Sequence, residues 1–219
     1  RLGITGCFHM EVDVAEHQIK EETRLISELM LQPNSLLQGV ISSCRPENQN
    51  FPMMLDWVLE NSNVKGLRRV LHVVPDDISQ TEIFKNNVKR LSGTGISFDL
   101  CVSAQQISLL NGLVDYCPDV TFILDHCGVP DIRSGEFVHW SDKVSELSKR
   151  TNVFCKISGI IAYGNPETWT LNEIRRYFEH VVSAFGPNRL VWGSDSPVCN
   201  LGANLETWVA VTRALCNDW

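Results

Sequence analysis

The chain has 219 residues, a formal charge of −7 at pH 7, 43% hydrophobic and 21% charged residues, ordinary proportions for a globular protein and enough length for one large domain or two small ones. Its acidic balance, without any basic patch, excludes a broad phosphate-backbone binder, so no nucleic-acid partner is expected. No apolar run approaches the roughly 20 residues of a bilayer span, and no charged-then-apolar leader opens the sequence, so no membrane partner is expected; the cysteine usage described below reads as that of a cytoplasmic protein.

Taken in chain order, short apolar, β-rich runs alternate with stretches of helical spacing. Strands are predicted at Ile4–Met10, Leu37–Ser42, Val64–Leu71, Ile96–Val102, Val120–Leu124, Val153–Ile157 and Leu190–Trp192. Helices are predicted at Glu16–Leu31, Phe51–Glu60, Thr81–Leu91, Ala104–Tyr116, Asp142–Arg150, Leu171–Phe185 and Asn204–Cys216. The clearest, Leu171–Phe185, opens on a capping box from Thr170 to Glu173 and stops at Gly186–Pro187. The last strand is expected to be buried, with Trp192 in the core. Strict alternation of strand and helix predicts a parallel sheet covered by helices. Eight cysteines (Cys7, Cys44, Cys101, Cys117, Cys127, Cys155, Cys199 and Cys216) form no C-x-x-C pair, and most sit in apolar runs. They read as reduced, buried thiols rather than a disulfide framework or a structural zinc site.

No G-x-G-x-x-G follows any predicted strand, and no phosphate loop is present, which weighs against a doubly wound nucleotide-binding sheet. A (β/α)8 barrel needs one more strand than the seven counted, and about 250 residues. The expectation is therefore one barrel domain over residues 1–219 containing strands two to eight, with the first β/α unit, and a C-terminal tail, lying outside the sequence. Two open sheet edges would follow, and with them poor solubility or inactivity of the chain expressed alone.

Barrel chemistry sits where strands end and βα loops begin. The predicted strand ends offer Glu11 and Asp13; Ser43, Cys44 and Arg45; Arg68 and His72; Asp99; Asp125 and His126; Lys156 and Ser158; and Asp195. Each has a structural explanation too: Asp195 as a turn cap, His126 as a satisfied buried imidazole, Arg68 as a snorkelling strand residue. The recurrence of acid, imidazole and guanidinium at one end of the same predicted sheet favours a site.

The runs VKGLRRVLH, SFDLCV, FILDHCGVPD, VFCKISGI and RLVWGSDSPVCNLG resemble successive strand-end motifs of the amidohydrolase-related proteins, and more narrowly the branch of sugar lactonases and the pyrone-dicarboxylate lactonase. The resemblance implies a (β/α)8 TIM barrel with a hydrolytic site at its C-terminal mouth. His126 matches the family's strand-six histidine and Asp195 its strand-eight aspartate. The family's strand-one H-x-H pair occurs nowhere in this sequence, and the strand-five position reads Phe98-Asp99-Leu100 where metal-binding relatives carry histidine. The implied cofactor is one divalent metal ion, zinc or similar, on His126 and Asp195; metal-free catalysis is the other form known in the branch.

Lactone hydrolysis needs an activated water and a polarised carbonyl. Asp195 is the expected base, returning its proton to the leaving alkoxide. His126 is the expected polarising group, directly or through the metal. Arg68, His72 and Lys156 are the expected holders of a small-molecule substrate, Arg68 through bidentate bonding to a carboxylate, with Glu11 a weaker candidate. Two other readings stand beside this one: a metal-dependent decarboxylase on the same fold, and a catalytically inactive fragment.

Overall fold

A computed structural model describes residues 2–217. The chain separates into two compact units, one of Gly3–Leu100 with Gly112–Phe122, the other chiefly of Cys101–Asn111 and residues 123–217. Seven strands alternate with helices along the described residues, as the apolar runs predict.

In the first unit β1 (Cys7–Met10), β2 (Leu37–Ser43), β3 (Val64–Val70) and β4 (Ser97–Cys101, whose last residue belongs to the second unit) follow one another in chain order. β1 to β3 pair in parallel, with Met10 opposite Ile41 and Ser43 opposite Arg68. Parallel pairing puts the C-terminal ends of these strands on one side, where Glu11, Cys44 and Arg45 begin the loops. Helix α1 (Ile19–Met30) buries Ile19, Thr23 and Ile26, and α2 (Phe51–Glu60) buries Phe51, Leu55 and Val58. Both sets are spaced i, i+4, i+7, one face of a helix. The sequence expectation of a helix from Glu16 is met by a 3₁₀ turn over Glu16–Gln18 that leads into α1. Helix α3 (Glu82–Lys89) is capped by Thr81, whose side chain accepts from Phe84 N. Phe84, Phe98 and Phe122 interlock edge to face at 6.1 and 6.2 Å between centroids, the geometry that the ring quadrupoles prefer. Helix α4 (Leu110–Tyr116) carries the division between the units.

The second unit takes up the chain through β5 (Phe122–Leu124), α5 (Phe137–Ser148), β6 (Val153–Ile157), α6 (Ile160–Tyr163), α7 (Leu171–Phe185), β7 (Leu190–Trp192) and α8 (Leu205–Cys216). β6 and β7 are parallel, with Ile157 opposite Trp192. Helix α7 buries Ile174, Tyr177, Phe178, Val181, Val182 and Phe185. Its start and stop follow the sequence: Thr170 Oγ1 accepts from Glu173 N at 3.2 Å, and Gly186 turns the chain out at φ 72°. Trp140 and Trp208 are fully buried, and each donates its indole N–H to a backbone carbonyl, Cys127 O and Gly193 O.

Three expectations need correction. β7 is not a buried strand, and Trp192 is not core: Val191 is 40% and Trp192 38% exposed. The reason is position, since among the described residues β7 pairs with β6 alone and ends the strand order. Helix α5 begins at Phe137, five residues before the predicted Asp142. Six cysteines are buried, but Cys7 and Cys216 are exposed; all eight are free of disulfides. No helix among the described residues is long and apolar enough to cross a membrane.

Candidate active site

The two best catalytic candidates sit on unusual backbone. After β5 the chain enters a 3₁₀ turn, Asp125–Gly128, in which His126 (φ 52°) and Cys127 (φ 55°) are left-handed, and Val129 follows at φ 47°. This region crowds the Cβ of an L-residue and costs roughly 1–2 kcal/mol per residue. The surroundings hold it: Trp140 Nε1 donates to Cys127 O at 2.8 Å, and the Cys127 thiol lies 3.4 Å from Lys156 O. Asp195, in the turn after β7, is also left-handed at φ 52°. That turn is fixed by Cys199 N donating to Asp195 O at 2.7 Å and by Trp208 Nε1 donating to Gly193 O at 2.9 Å. Backbone outliers of this kind collect at functional sites, where the fold over-determines them.

These turns bring three predicted residues together. His126 Nδ1 lies 2.9 Å from Ser158 Oγ and 3.6 Å from Asp195 Oδ1. The first distance is a hydrogen bond and the second an electrostatic contact. The side chains of His126 and Asp195 are only 13% and 10% exposed, so charge on either is weakly screened. Lys156 Nζ donates to Asp125 Oδ1 at 2.5 Å, with Asp125 wholly buried. The backbone of Gly159 (φ 72°) passes so close that a Cβ there would stand 2.8 Å from His126 Cβ and 3.2 Å from Asp195 Oδ2. Tyr163, on α6, is held protonated well above the ordinary tyrosine range, first by burial and then by the negative charge of Asp195. Burial and the same aspartate also raise the Cys199 thiol.

Within this unit Cys101, Asp125 and His126 each present one metal-ligating atom, all within 4.8 Å of one another. Sulfur, oxygen and nitrogen donors at that spacing fit a divalent transition metal. Cys101, Gly159 and Tyr163 were not singled out from the sequence. Cys101 stands two residues after Asp99 on β4, and that alternation, which puts both side chains on one face of the strand, was the available signal.

The other predicted residues lie in the first unit. Arg68 is committed to Glu11: its Nε donates to Glu11 Oε1 at 2.5 Å and its Nη2 to Glu11 O at 2.7 Å, both residues being buried. Its neighbour Arg69 faces the other way and holds Glu47 at 2.7 Å. His72 follows β3 and is exposed. An open groove of about 580 Å³ is lined by Lys20, Cys44, Arg45 and Met54 among others; Arg45 there is bonded to Ser43 Oγ and Asp13 Oδ1.

Comparison with known proteins follows the same lines. The family model described as Amidohydrolase matches residues 8–217. An L-fucono-1,5-lactonase of Burkholderia ambifaria is 25% identical over 202 residues, covering 90% of this chain and 69% of that protein. An uncharacterized protein of Sinorhizobium fredii is 31% identical over 170 residues, covering 73% of this chain and 57% of that protein. A solved amidohydrolase from Burkholderia multivorans with bound zinc superposes with a TM-score of 0.86 at 21% identity, over 98% of this chain and 76% of that one. The chain thus spans 57–76% of the lengths of these proteins.

Proposed function

Because the chain belongs to the amidohydrolase family, we propose that it carries the hydrolytic centre of a lactonase-like enzyme acting on a small lactone or related cyclic ester. The observation that carries this reading is the His126–Asp195 pair, 3.6 Å apart, nearly buried, on two left-handed turns that follow strands. The lactonase-named relative supports the substrate class.

In this reading Asp195 takes a proton from water as the water oxygen bonds to the ring carbonyl carbon. The ring C–O bond then breaks, and Asp195 returns the proton to the leaving alkoxide. His126, oriented by Ser158, donates toward the carbonyl oxygen and stabilises the charge that develops there. A divalent metal, zinc or similar, would supply Lewis-acid polarisation of that oxygen when bound; without metal the imidazole alone has this task. Lys156 is the substrate-binding candidate within this unit. Arg68 and His72 are proposed to bind substrate carboxylate or hydroxyls on the strength of their motif, Arg68 with its orientation set by Glu11.

The test is turnover of a panel of sugar lactones and pyrone dicarboxylates by the chain and by Asp195→Asn. General acid–base catalysis contributes about 10²–10⁴-fold, so the variant is expected to lose kcat by that factor with KM little changed. Equal turnover would remove Asp195 from the mechanism. Carbon dioxide release from carboxylated aromatic acids, without lactone turnover, would move the same pair to decarboxylation.

A further inference from the structure

We propose that Cys101, Asp125 and His126 form a three-ligand centre for a thiophilic divalent ion of the zinc class, with the Cys101 thiolate as a metal ligand. The proposal deepens the hydrolase reading above and rests on it for its purpose, although not for its test.

The three donor atoms lie within 4.8 Å of one another. A tetrahedral zinc with bonds of about 2.0 Å to nitrogen and oxygen and about 2.3 Å to sulfur holds its ligand atoms roughly 3.5 Å apart. The set therefore closes on an ion by small side-chain movements of about 1 Å, with no rearrangement of strands. Two of the ligands are consecutive residues, which the left-handed turn at His126 brings to the one point.

Chemistry then narrows the ion. Thiolate and imidazole favour zinc, cobalt or cadmium over magnesium and calcium, which take oxygen donors. Three protein ligands leave one tetrahedral position open, the pattern of catalytic rather than structural zinc. Burial agrees with a shielded centre: Cys101 is 3% and Asp125 0% exposed, and the His126 side chain 13%. The surrounding bonds are those that orient ligands at metal centres. Ser158 fixes the His126 ring at 2.9 Å, and Lys156 fixes Asp125 at 2.5 Å. Lys156 is itself on β6, one residue from Ile157, with its carbonyl near the Cys127 thiol.

The assignment changes the role of Asp195. The sequence pairs His126 with Asp195 as ligands. In the structure Asp195 falls outside the three-donor set while remaining 3.6 Å from His126 Nδ1, so it keeps its carboxylate for the proton. Metal and base are then separate groups that share one imidazole as neighbour.

The experiment is cobalt(II) loading of the metal-stripped chain, followed in the near-ultraviolet, with zinc binding measured by calorimetry. A sulfur-to-cobalt charge-transfer band is expected at one ion per chain. It should vanish in Cys101→Ser and in Cys101→His, the second keeping a ligand but no sulfur, and persist in Cys127→Ser, which removes the neighbouring buried thiol. Zinc affinity should fall in Cys101→Ser by more than the roughly 10–100-fold that loss of an outer-shell partner costs. Cobalt bound without the band, no cobalt bound, or a band that survives both Cys101 substitutions would each overturn the proposal. Each of these results leaves the hydrolase reading intact, because that reading is tested separately by the turnover of Asp195→Asn.

Discussion

Gly159 sets a narrow tolerance beside His126 and Asp195. Its φ of 72° disfavours any side chain, and a Cβ would meet His126 Cβ at 2.8 Å. Gly159→Ala is expected to destabilise the chain by about 1–3 kcal/mol, read as a lower urea midpoint, and to lower turnover further than the stability loss accounts for. A variant as stable and active as the parent would show that the close approach is relaxed in solution. His126 and Asp195 were legible in the sequence because each ends an apolar run abruptly, FILDH and LVWGSD. Cys101 was not, because a cysteine in SFDLCV reads as one more core residue. The partner of Arg68 was not legible either: Glu11 is 57 residues away, and only the parallel packing of β1 to β3 brings the two together.

At the level of elements, legibility followed length and isolation. Helix α7 was predicted to the residue because a 15-residue amphipathic run lies between a threonine cap and a glycine stop. Helix α6 was missed, being four residues long and too short to show a period. β7 was found but its environment was misread. Three apolar residues look the same in a central strand and in an edge strand; pairing on one side only is what exposes Val191 and Trp192. On β1, Phe8 is 56% exposed as well. Unpaired strand backbone beside exposed apolar side chains promotes association. The chain is expected to self-associate with rising concentration in sedimentation velocity, and Val191→Lys, like Phe8→Lys, should shift it toward monomer. Sedimentation that is independent of concentration in the parent would count against this.

At the level of the whole molecule, the buried thiols tie stability to pH. Burial, with Glu47 adding to it, holds Cys44 well above the ordinary thiol range. Burial and the adjacent Cys127 do the same for Cys155. In the unfolded chain both ionise near pH 8.5. Above that pH the folded state binds more protons than the unfolded one, so stability is full below about pH 8.5 and declines as pH rises. Each such thiol therefore makes the folded state less stable as pH rises through that window. Urea midpoints should therefore fall between pH 8 and pH 10, and fall less steeply in Cys44→Ala; a flat profile would show that these thiols ionise without unfolding. The alternation that predicted the parallel strands is a whole-chain signal and was readable throughout. The pairing of buried charges, Glu11 with Arg68 and Asp125 with Lys156, is a tertiary signal and was not.

The left-handed backbone at His126 and Asp195 also decides which substitutions can be interpreted. Alanine at either position removes the functional group and adds a conformational penalty, so its effect on rate confounds two losses. Asparagine tolerates the same φ/ψ region far better than other residues with a Cβ, and it matches aspartate in shape. His126→Asn and Asp195→Asn are therefore the informative pair for a double-mutant cycle, and a coupling energy from alanines would measure the turns as much as the chemistry.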